Sequence, residues 1–425
     1  MKSETVLSAE HLIEVAESSL TSDFERESKT AFLCQKRVMK AFSDRRVSAE
    51  CFNATSGYGY NDKGREVCDA VFADALEAES AFVRHSIVSG THALTIALFG
   101  LLRPGETLLA VTGKPYDTLD EVIGLRGNGM GSLKDFGVKY REITTGADGS
   151  IDIDSLVGIL KSDKTVKAVY MQLSRGYGTR PTLSSSSVKA VADAVKSRSD
   201  AFIIVDNCYG EFCEDHEPCY YGADVSVGSL IKNPGGGIAE SGGYIAGTKK
   251  AVELCSYRLT SPGIGLECGA TLGQTKSIIK GLFYAPHTVL QAKKCAMLAA
   301  AVFSDMGYEV DPLPHAPRYD IIEAIRFKER EPLIAFCEGI QAGSPVDSFV
   351  TPVPWAMPGY ADEVIMAAGA FTQGSSIELS ADAPLREPYI AYLQGGLTYE
   401  SAKIGILHAV NKLLEAGHAV IKYKI

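Results

Sequence analysis

The sequence has no long apolar run, no surplus of positive charge and no closely paired cysteines. Its 425 residues carry 42 Lys and Arg against 52 Asp and Glu, a formal net charge of −10, so binding to nucleic acid or to an anionic membrane is not expected. The longest apolar stretch, 296–303, is too short to span a bilayer, and no secretory signal is visible. The ten cysteines form no CxxC pair, which indicates reduced thiols in a cytoplasmic protein and no metal centre.

The length and the hydrophobic pattern predict two structural domains behind an N-terminal helical arm, residues 1–50. Over residues 51–285, helical patterns alternate with short runs rich in β-branched residues, such as 166–170 and 201–205. That alternation is typical of a mostly parallel α/β sheet covered on both faces. Over residues 286–425 the helical patterns are longer and strands are fewer, which indicates a smaller C-terminal α+β domain.

Four segments have patterns clear enough to predict their bounds. The apolar spacing predicts one helix over 65–83, a strand over 86–89 and a long helix over 287–306. The segment 376–379 has the pattern of a strand.

Three segments after predicted strands carry groups suited to chemistry. In an open α/β sheet, ligands bind at the carboxyl ends of the strands. Gly90 and Thr91 open a helix, where free backbone N–H groups suit a phosphate, although an ordinary helix cap looks the same. Asp206 ends another strand, and Lys232 stands between apolar residues and a glycine-rich turn. Taken singly, each is an ordinary feature of an α/β protein.

Together the three groups match the needs of pyridoxal 5′-phosphate (PLP). Its phosphate binds at a helix N-terminus, its ring nitrogen needs an acid to stay protonated, and its aldehyde forms a Schiff base with an amine. A charged lysine is costly to bury, and we expect desolvation to lower the pKa of Lys232. The sequence therefore predicts PLP held on Lys232, with Asp206 beside its ring.

The stretches SGTHAL, VDNCYGEF and GSLIKNPGGGIA, with GYGYNDKGRE upstream, resemble the fold type I PLP enzymes. Within that fold they are similar to the Cys/Met metabolism group of cystathionine lyases and methionine γ-lyase, and most like its methionine γ-lyase-like or aluminium resistance proteins. The resemblance runs from about residue 50 to the C-terminus. It implies a homodimer or homotetramer with shared active sites.

The resemblance assigns roles to the residues at the predicted strand ends. Gly90, Thr91 and Ser229 would bind the phosphate. Asp206 would pair with the ring nitrogen, and Asn207 would lie near the ring hydroxyl.

Further positions carry two interpretations each. Tyr116 falls where the family has an aromatic residue that stacks on the ring, and its phenol could act as an acid or base; an aromatic that only packs in its loop is an equally weighted interpretation. His92, in a first helical turn, could be a catalytic base, but we favour a packed or capping imidazole. Arg386 lies where the family places the arginine for the substrate carboxylate, and Arg175 is a rival.

The chain departs from the family pattern at two places. Tyr58 and Tyr60 fall where the family has Tyr-x-Arg, a pair that reaches the phosphate of the neighbouring subunit. Arg65 could replace the missing arginine or could be a solvated residue at a helix start. Cys208 stands where the family usually has Thr.

The reaction that the resemblance implies is β- or γ-elimination on a sulfur-containing amino acid, with Lys232 removing the α-proton and Tyr116 assisting the leaving thiol. Aldol cleavage and transamination would use the same cofactor residues. A cysteine-desulfurase-like reaction needs a mobile thiol, and Cys337 has the pattern of a buried one. The sequence is also compatible with a PLP-binding regulator without catalysis and with a dinucleotide dehydrogenase.

Overall fold

The computed structural model describes residues 8–146, 148–357 and 360–419. The chain divides into two compact units. The large unit is Phe32–Pro286, and the small unit combines Met1–Ala31 with His287–Ile425. The predicted arm of residues 1–50 is thus divided between the two units rather than standing apart.

Helices are numbered in chain order. In the described part of the chain they are α1 (Ala9–Ser19), α2 (Thr21–Asp44), α3 (Lys63–Ala75), α4 (Gly90–Leu101), α5 (Leu119–Ile123), α6 (Ile153–Ser162), α7 (Ser187–Lys196), α8 (Lys249–Leu259), α9 (Thr275–Asp305), α10 (Arg330–Ala342) and α11 (Tyr399–Glu415). Short 3-10 turns occupy Ala49–Phe52 and Asn233–Gly235.

The strands form one sheet in each unit. They are β1 (Ser80–Arg84), β2 (Thr107–Ala110), β3 (Lys139–Glu142), β4 (Val166–Gln172), β5 (Phe202–Asp206), β6 (Val225–Ser229), β7 (Gly243–Gly247), β8 (Glu309–Asp311), β9 (Ile322–Arg326), β10 (Trp355–Ala356), β11 (Glu363–Ala367), β12 (Ser380–Pro384) and β13 (Ile390–Gln394).

The sheet of the large unit has the order β1-β7-β6-β5-β4-β2-β3. Strands β2 to β6 run parallel to one another, whereas β7 is antiparallel to both β6 and β1. Side chains of β4 alternate between two apolar layers: Ala168 and Tyr170 pack with α4 and α8, and Val169 and Met171 pack with α6 and α7. Because both faces are covered, the central strands β4 and β5 are mostly apolar and buried, whereas the edge strand β3 is polar and largely exposed. The predicted mostly parallel α/β fold is confirmed.

The sheet of the small unit is antiparallel, in the order β10-β11-β12-β13-β9-β8. Its buried side chains form one core with those of α1, α9, α10 and α11. This unit therefore has the predicted α+β character.

The predicted helix over 65–83 and the predicted strand over 86–89 are both wrong in their bounds. The helix ends at Ala75, and two residues later Glu77 has a φ of 56°, so the chain leaves the helix there. The strand is β1 at Ser80–Arg84, paired with β7. The apolar spacing continued past the turn, and this made the strand look like one more helical turn.

The structure also corrects two predictions in the C-terminal part of the chain. The helix predicted over 287–306 begins at Thr275 and contains Pro286 in its interior, where a proline usually marks a boundary. The segment 376–379 is not a strand. Its carbonyl groups pack against a glycine turn, since the N–H of Gly396 donates to the carbonyl of Ile377 at 2.9 Å.

Three further observations bear on the composition. None of the ten cysteines forms a disulfide. No helix in the described ranges is long and apolar enough to cross a bilayer. In the same ranges, no three His, Cys, Asp or Glu side chains are grouped so as to hold a metal ion.

Two helical glycines offer a test of the packing around the large sheet. A Cβ atom on Gly100 would lie 2.9 Å from the Cα of Cys255, where α4 crosses α8. Gly158, exposed on α6, has nothing within 4 Å of its position for a Cβ. Gly100→Ala should therefore lower the free energy of unfolding by about 1–3 kcal/mol through overpacking. Gly158→Ala should raise it by about 0.5–1 kcal/mol, because alanine favours the helix.

Urea unfolding of both variants and of the unmodified protein measures these changes in the free energy of unfolding. Equal effects of the two substitutions would contradict the close approach of the two helices.

Candidate functional site

The predicted cofactor residues Asp206, Ser229 and Lys232 lie at one edge of the large sheet. Strands β4, β5 and β6 are parallel neighbours, and their last residues are Gln172, Asp206 and Ser229. The loop after β1 leads into α4 at Gly90. Side chains that are far apart in sequence thus meet because parallel strands end at the same edge.

Asp206 is buried, with 5% of its surface exposed. The phenol of Tyr170 on β4 donates a hydrogen bond to Oδ2 of Asp206 at 3.2 Å, and the backbone N–H of Cys208 donates to Oδ1 at 3.1 Å. Burial raises the pKa of the carboxyl group, against the opposing effect of the hydrogen bonds and of the Lys232 charge. A protonated ring nitrogen would supply a further positive charge to this carboxyl group.

Lys232 lies three residues after the end of β6 and is half-buried. Its Nζ atom lies 4.0 Å from the centre of the Tyr209 ring. Burial opposes the charged amine, yet Tyr209, Cys208 and Asp206 outweigh it and raise the pKa of Lys232. Desolvation thus acts in the expected direction, but the expected net lowering of the pKa of Lys232 is wrong for the protein alone, because its neighbours stabilise the charged amine.

Ser229 and Gly90 form the part of the site suited to a phosphate. The hydroxyl of Ser229 is buried and has no hydrogen-bond partner among the described residues. Gly90 opens α4, and a Cβ atom there would lie 3.1 Å from the sulfur of Cys208 and 3.6 Å from the Cβ of Ser229. A residue with a side chain would fill this space. An unpartnered donor beside free N–H groups at a helix start is what an anion needs.

Thr91 and His92 complete the first turn of α4. The hydroxyl groups of Thr91 and Thr118 lie 2.7 Å apart. Nδ1 of His92 accepts the N–H of Val88 at 3.2 Å, and the side chain of Ser89 caps the helix. The interpretation of His92 as a capping imidazole is confirmed.

Asn207 is fully buried and bonded within the protein. Its Nδ2 donates to Oε2 of Glu217 at 3.1 Å, while Oε1 of Glu217 accepts from the backbone N–H of Phe212 at 2.9 Å and from Arg37 at 3.1 Å. The amide donor predicted to lie near the ring hydroxyl is thus turned to a buried acid. Its role toward a cofactor stays a prediction.

Tyr116 packs in the loop after β2. Its ring meets the Tyr177 ring edge-on, with centroids 5.6 Å apart, and lies against Gly176, where a Cβ atom would come within 2.7 Å of it. This is the packing expected if Tyr116 is an aromatic residue that packs in its own loop. Stacking on a cofactor stays a prediction.

The loop after β4 contains Arg175, which is buried with 4% of its surface exposed. A neighbouring arginine, Arg180, holds the loop together by donating to the carbonyl groups of Gln172, Leu173, Ser174 and Pro181 at 2.5–3.2 Å. Sequence reasoning missed Arg180. Its role is to fix the loop that presents Arg175 at the strand edge.

The upstream segment differs from expectation in the role of Arg65. The residue is 3% exposed and donates to the carbonyl groups of Gly59, Gly269 and Glu267 at 2.6–3.2 Å. The interpretation of Arg65 as a solvated residue is therefore wrong, and its role toward the phosphate of a neighbouring subunit stays a prediction. Tyr58 and Tyr60 are 73% and 58% exposed and stack on each other at 5.5 Å.

Arg386 belongs to the small unit, where it follows β12. Its guanidinium group donates to Oδ2 of Asp362 at 2.9 Å, and both side chains are partly exposed. Its role toward a substrate carboxylate stays a prediction. Cys337, in the same unit, is fully buried as its pattern indicated.

Two residues near Lys232 were not singled out from the sequence. Tyr209 has a φ of 75°, a conformation that costs a residue with a side chain roughly 1–2 kcal/mol. Glu211 is fully buried and accepts a hydrogen bond from Tyr244 at 2.9 Å, and burial raises its pKa. The only signal in the sequence was their position inside the stretch VDNCYGEF.

These groups fit PLP. The large unit presents an amine, a buried carboxyl group and an anion site with an orphaned hydroxyl at one sheet edge. They are the three donors and acceptors that the cofactor needs, and we find no steric obstacle at Gly90.

Comparison with known proteins supports the same conclusion. The methionine gamma-lyase family matches residues 9–414. A carbon-sulfur lyase involved in aluminium resistance from Clostridium novyi NT is 50% identical, with a TM-score of 0.92 over 95% of this chain and 96% of that chain. A candidate cystathionine beta-lyase involved in aluminium resistance from Listeria monocytogenes is 45% identical, with a TM-score of 0.92 over 95% and 99% of the two chains.

A more distant structure shows the fold alone. The pyridoxal-5′-phosphate-dependent protein YhfS from Escherichia coli is 16% identical, with a TM-score of 0.59 over 92% of this chain and 97% of that chain. Together the matches confirm the resemblance inferred from the motifs and the fold type that it implied.

The buried acid behind Asn207 makes stability depend on pH. Burial raises the pKa of Glu217 from 4.5 to about 7, although Arg37 opposes this. The unfolded chain ionises near the ordinary value, so the native state loses stability as the pH rises from about 4.5 to about 7, by up to about 3 kcal/mol. Glu217→Gln keeps the acceptor for Phe212 and Arg37 without the charge, and Asn207 can turn its amide to match.

Urea unfolding at pH 5, 6, 7 and 8 should show the stability of Glu217→Gln rising relative to the unmodified protein up to about pH 7. Glu240→Gln, at an exposed position, is the matched control. A constant difference across this range would contradict a buried acid with a raised pKa.

Proposed function

Because this chain belongs to the methionine gamma-lyase family, we propose that it is a PLP-dependent carbon–sulfur lyase acting on a sulfur-containing amino acid. The observation that carries the proposal is the meeting of Lys232, Asp206 and Ser229 beside the start of α4 at one sheet edge. Lys232 is the amine for the cofactor aldehyde, Asp206 the acid for its ring nitrogen, and Ser229 with Gly90 the site for its phosphate.

When bound, PLP supplies an electron sink for the negative charge that develops at the α-carbon of the substrate. The protein supplies the proton transfers. Nζ of Lys232 takes the α-proton, and the phenol of Tyr116 gives a proton to the departing sulfur. With one water consumed, the products are a thiol, ammonia and a 2-oxo acid. Cystathionine and methionine are the substrate types that we propose.

The substrate carboxylate needs a cation, and arginine suits it because two N–H groups can bind both oxygens. We propose Arg386 or Arg175 for this role. Arg175 has in its favour its burial at the same strand edge as Lys232.

We also propose that the protein works as a homodimer or homotetramer in the cytoplasm. Ten cysteines without a disulfide suit a reducing compartment. The exposed, stacked pair Tyr58 and Tyr60 suits burial against a second subunit, since aromatic residues are enriched in subunit interfaces.

The oligomeric state can be measured directly. Light scattering should give the mass of two or four chains, and Tyr58→Ser with Tyr60→Ser should shift the protein toward smaller species. A monomer at micromolar concentration would contradict shared sites.

The cofactor and the reaction can be tested on one sample. The purified protein, incubated with PLP, should show a visible absorption band, and Lys232→Ala should lose or change it. Lys249→Ala, at an exposed lysine of the same unit, is the matched control. With cystathionine or methionine added, release of a 2-oxo acid should fall about 10²–10⁴-fold in Lys232→Ala, because the general base is gone.

A protein that stays colourless with PLP would contradict the cofactor. A coloured protein that releases no 2-oxo acid from either amino acid would contradict elimination and leave aldol cleavage or transamination.

A further inference from the structure

Tyr209 contacts Lys232 from a backbone conformation that its own side chain disfavours. It is the third residue of a turn closed by the N–H of Gly210 and the carbonyl of Asn207 at 2.8 Å, and its φ is 75°. Glycine or asparagine normally occupies such a position. The chain keeps a tyrosine there, and backbone strain of this kind is typical of functional sites.

The turn that contains Tyr209 is hydrogen-bonded to the loop that carries Lys232. The carbonyl of Tyr209 accepts Nδ2 of Asn233 at 2.9 Å and the thiol of Cys213 at 3.3 Å. Asn233 follows Lys232 directly, is fully buried, and donates from the same amide nitrogen to the carbonyl of Glu211 at 2.9 Å. These bonds fix the backbone of Tyr209 relative to the loop that carries the amine.

The contact itself favours one protonation state of the amine. Nζ of Lys232 lies 4.0 Å from the ring centre, and an aromatic face attracts an ammonium group much more than a neutral amine. Lys232 becomes an ammonium group when it acts as the base: the C–H bond of the substrate breaks, its electron pair stays with the substrate, and the proton forms an N–H bond at Nζ. The ring therefore stabilises the product of the proton transfer.

We propose that Tyr209 is a positioning residue that holds Lys232 and stabilises its ammonium form against the ring face. The proposal rests on the role proposed above for Lys232. The hydroxyl of Tyr209 also hydrogen-bonds to the amine, and the proposal assigns the larger effect to the ring face.

The variants separate the ring from the hydroxyl and from the backbone strain. Tyr209→Phe keeps the ring. Tyr209→Leu removes it and keeps a bulky side chain, and Tyr209→Asn removes it with a residue that tolerates a positive φ. Tyr257→Phe, at a tyrosine whose hydroxyl bonds to Glu253 on the same helix, is the matched control. If the leucine variant does not fold, the asparagine variant still removes the ring.

The first measurement uses the full chain freed of cofactor. The rate at which acetic anhydride modifies Lys232, followed by mass spectrometry from pH 7 to 11, reports the fraction of neutral amine. Tyr209→Leu and Tyr209→Asn should move this profile to lower pH, with a rate on the order of tenfold higher at a given pH below the midpoint. Tyr209→Phe, which loses the hydroxyl and keeps the ring, should move the profile less than these two variants do, and Tyr257→Phe should keep the original profile. The other ionisable groups around the amine, Asp206, Cys208 and Glu211, are the same in every variant.

The second measurement uses the PLP-loaded enzyme. Loss of the ring should lower kcat on the order of tenfold and change KM by less than about twofold, because only the proton transfer is affected. Tyr209→Phe should recover most of kcat.

The outcomes are distinct. An unmodified protein that binds no PLP overturns the proposed function. A coloured, active enzyme whose ring-less variants keep the original acetylation profile overturns the role of Tyr209 alone. A rate increase that is the same at every pH would report better access to the amine, and equal losses in the phenylalanine and leucine variants would assign the effect to the hydroxyl; either result contradicts the ring proposal.

Discussion

The burial of one carboxyl group, that of Asp206, is the constraint around which the site is built. Asp206 ends the central strand of the large sheet, where an ionised acid without partners is costly. The phenol of Tyr170 from the neighbouring strand and the N–H of Cys208 satisfy its oxygens. The positive charge of Lys232 offsets part of the cost. Each of these partners is fixed in turn by the register of β4, β5 and β6, so the sheet and the site depend on each other.

The long cationic side chains of the large unit have two different roles. Arg65 and Arg180 donate to backbone carbonyl groups and fix loops at the edge of the large unit. Lys232 lies in a polar environment that favours its charged amine, beside Tyr209, whose backbone has a strained positive φ. A guanidinium group suits the first task because its planar fork meets several acceptors at once, whereas a lysine can lose its proton and react.

Sequence patterns predicted the central strands and the helices beside them with small errors at their ends, because buried parallel strands are short and continuously apolar. They failed where a glycine-rich strand, β7, had too few side chains to be noticed, and where a helix and β1 shared one apolar spacing. The amine, the acid and the phosphate site were predicted because each follows a strand, and parallel strands end together. The tasks of Arg65, Arg180 and Glu217 were missed, since their partners are backbone groups or residues far away in sequence.

The sequence by itself determined the fold class and the family and indicated the residues that would hold the cofactor, because strand ends and motifs lie within short stretches of chain. Only the tertiary structure decided the state of those residues. The pKa of Lys232 is raised rather than lowered, Asn207 is turned to Glu217, and Tyr209 lies over the amine at a positive φ. These properties depend on which charges and rings come within a few ångströms of one another, and that proximity arises only when the strands are paired and the loops between them are closed.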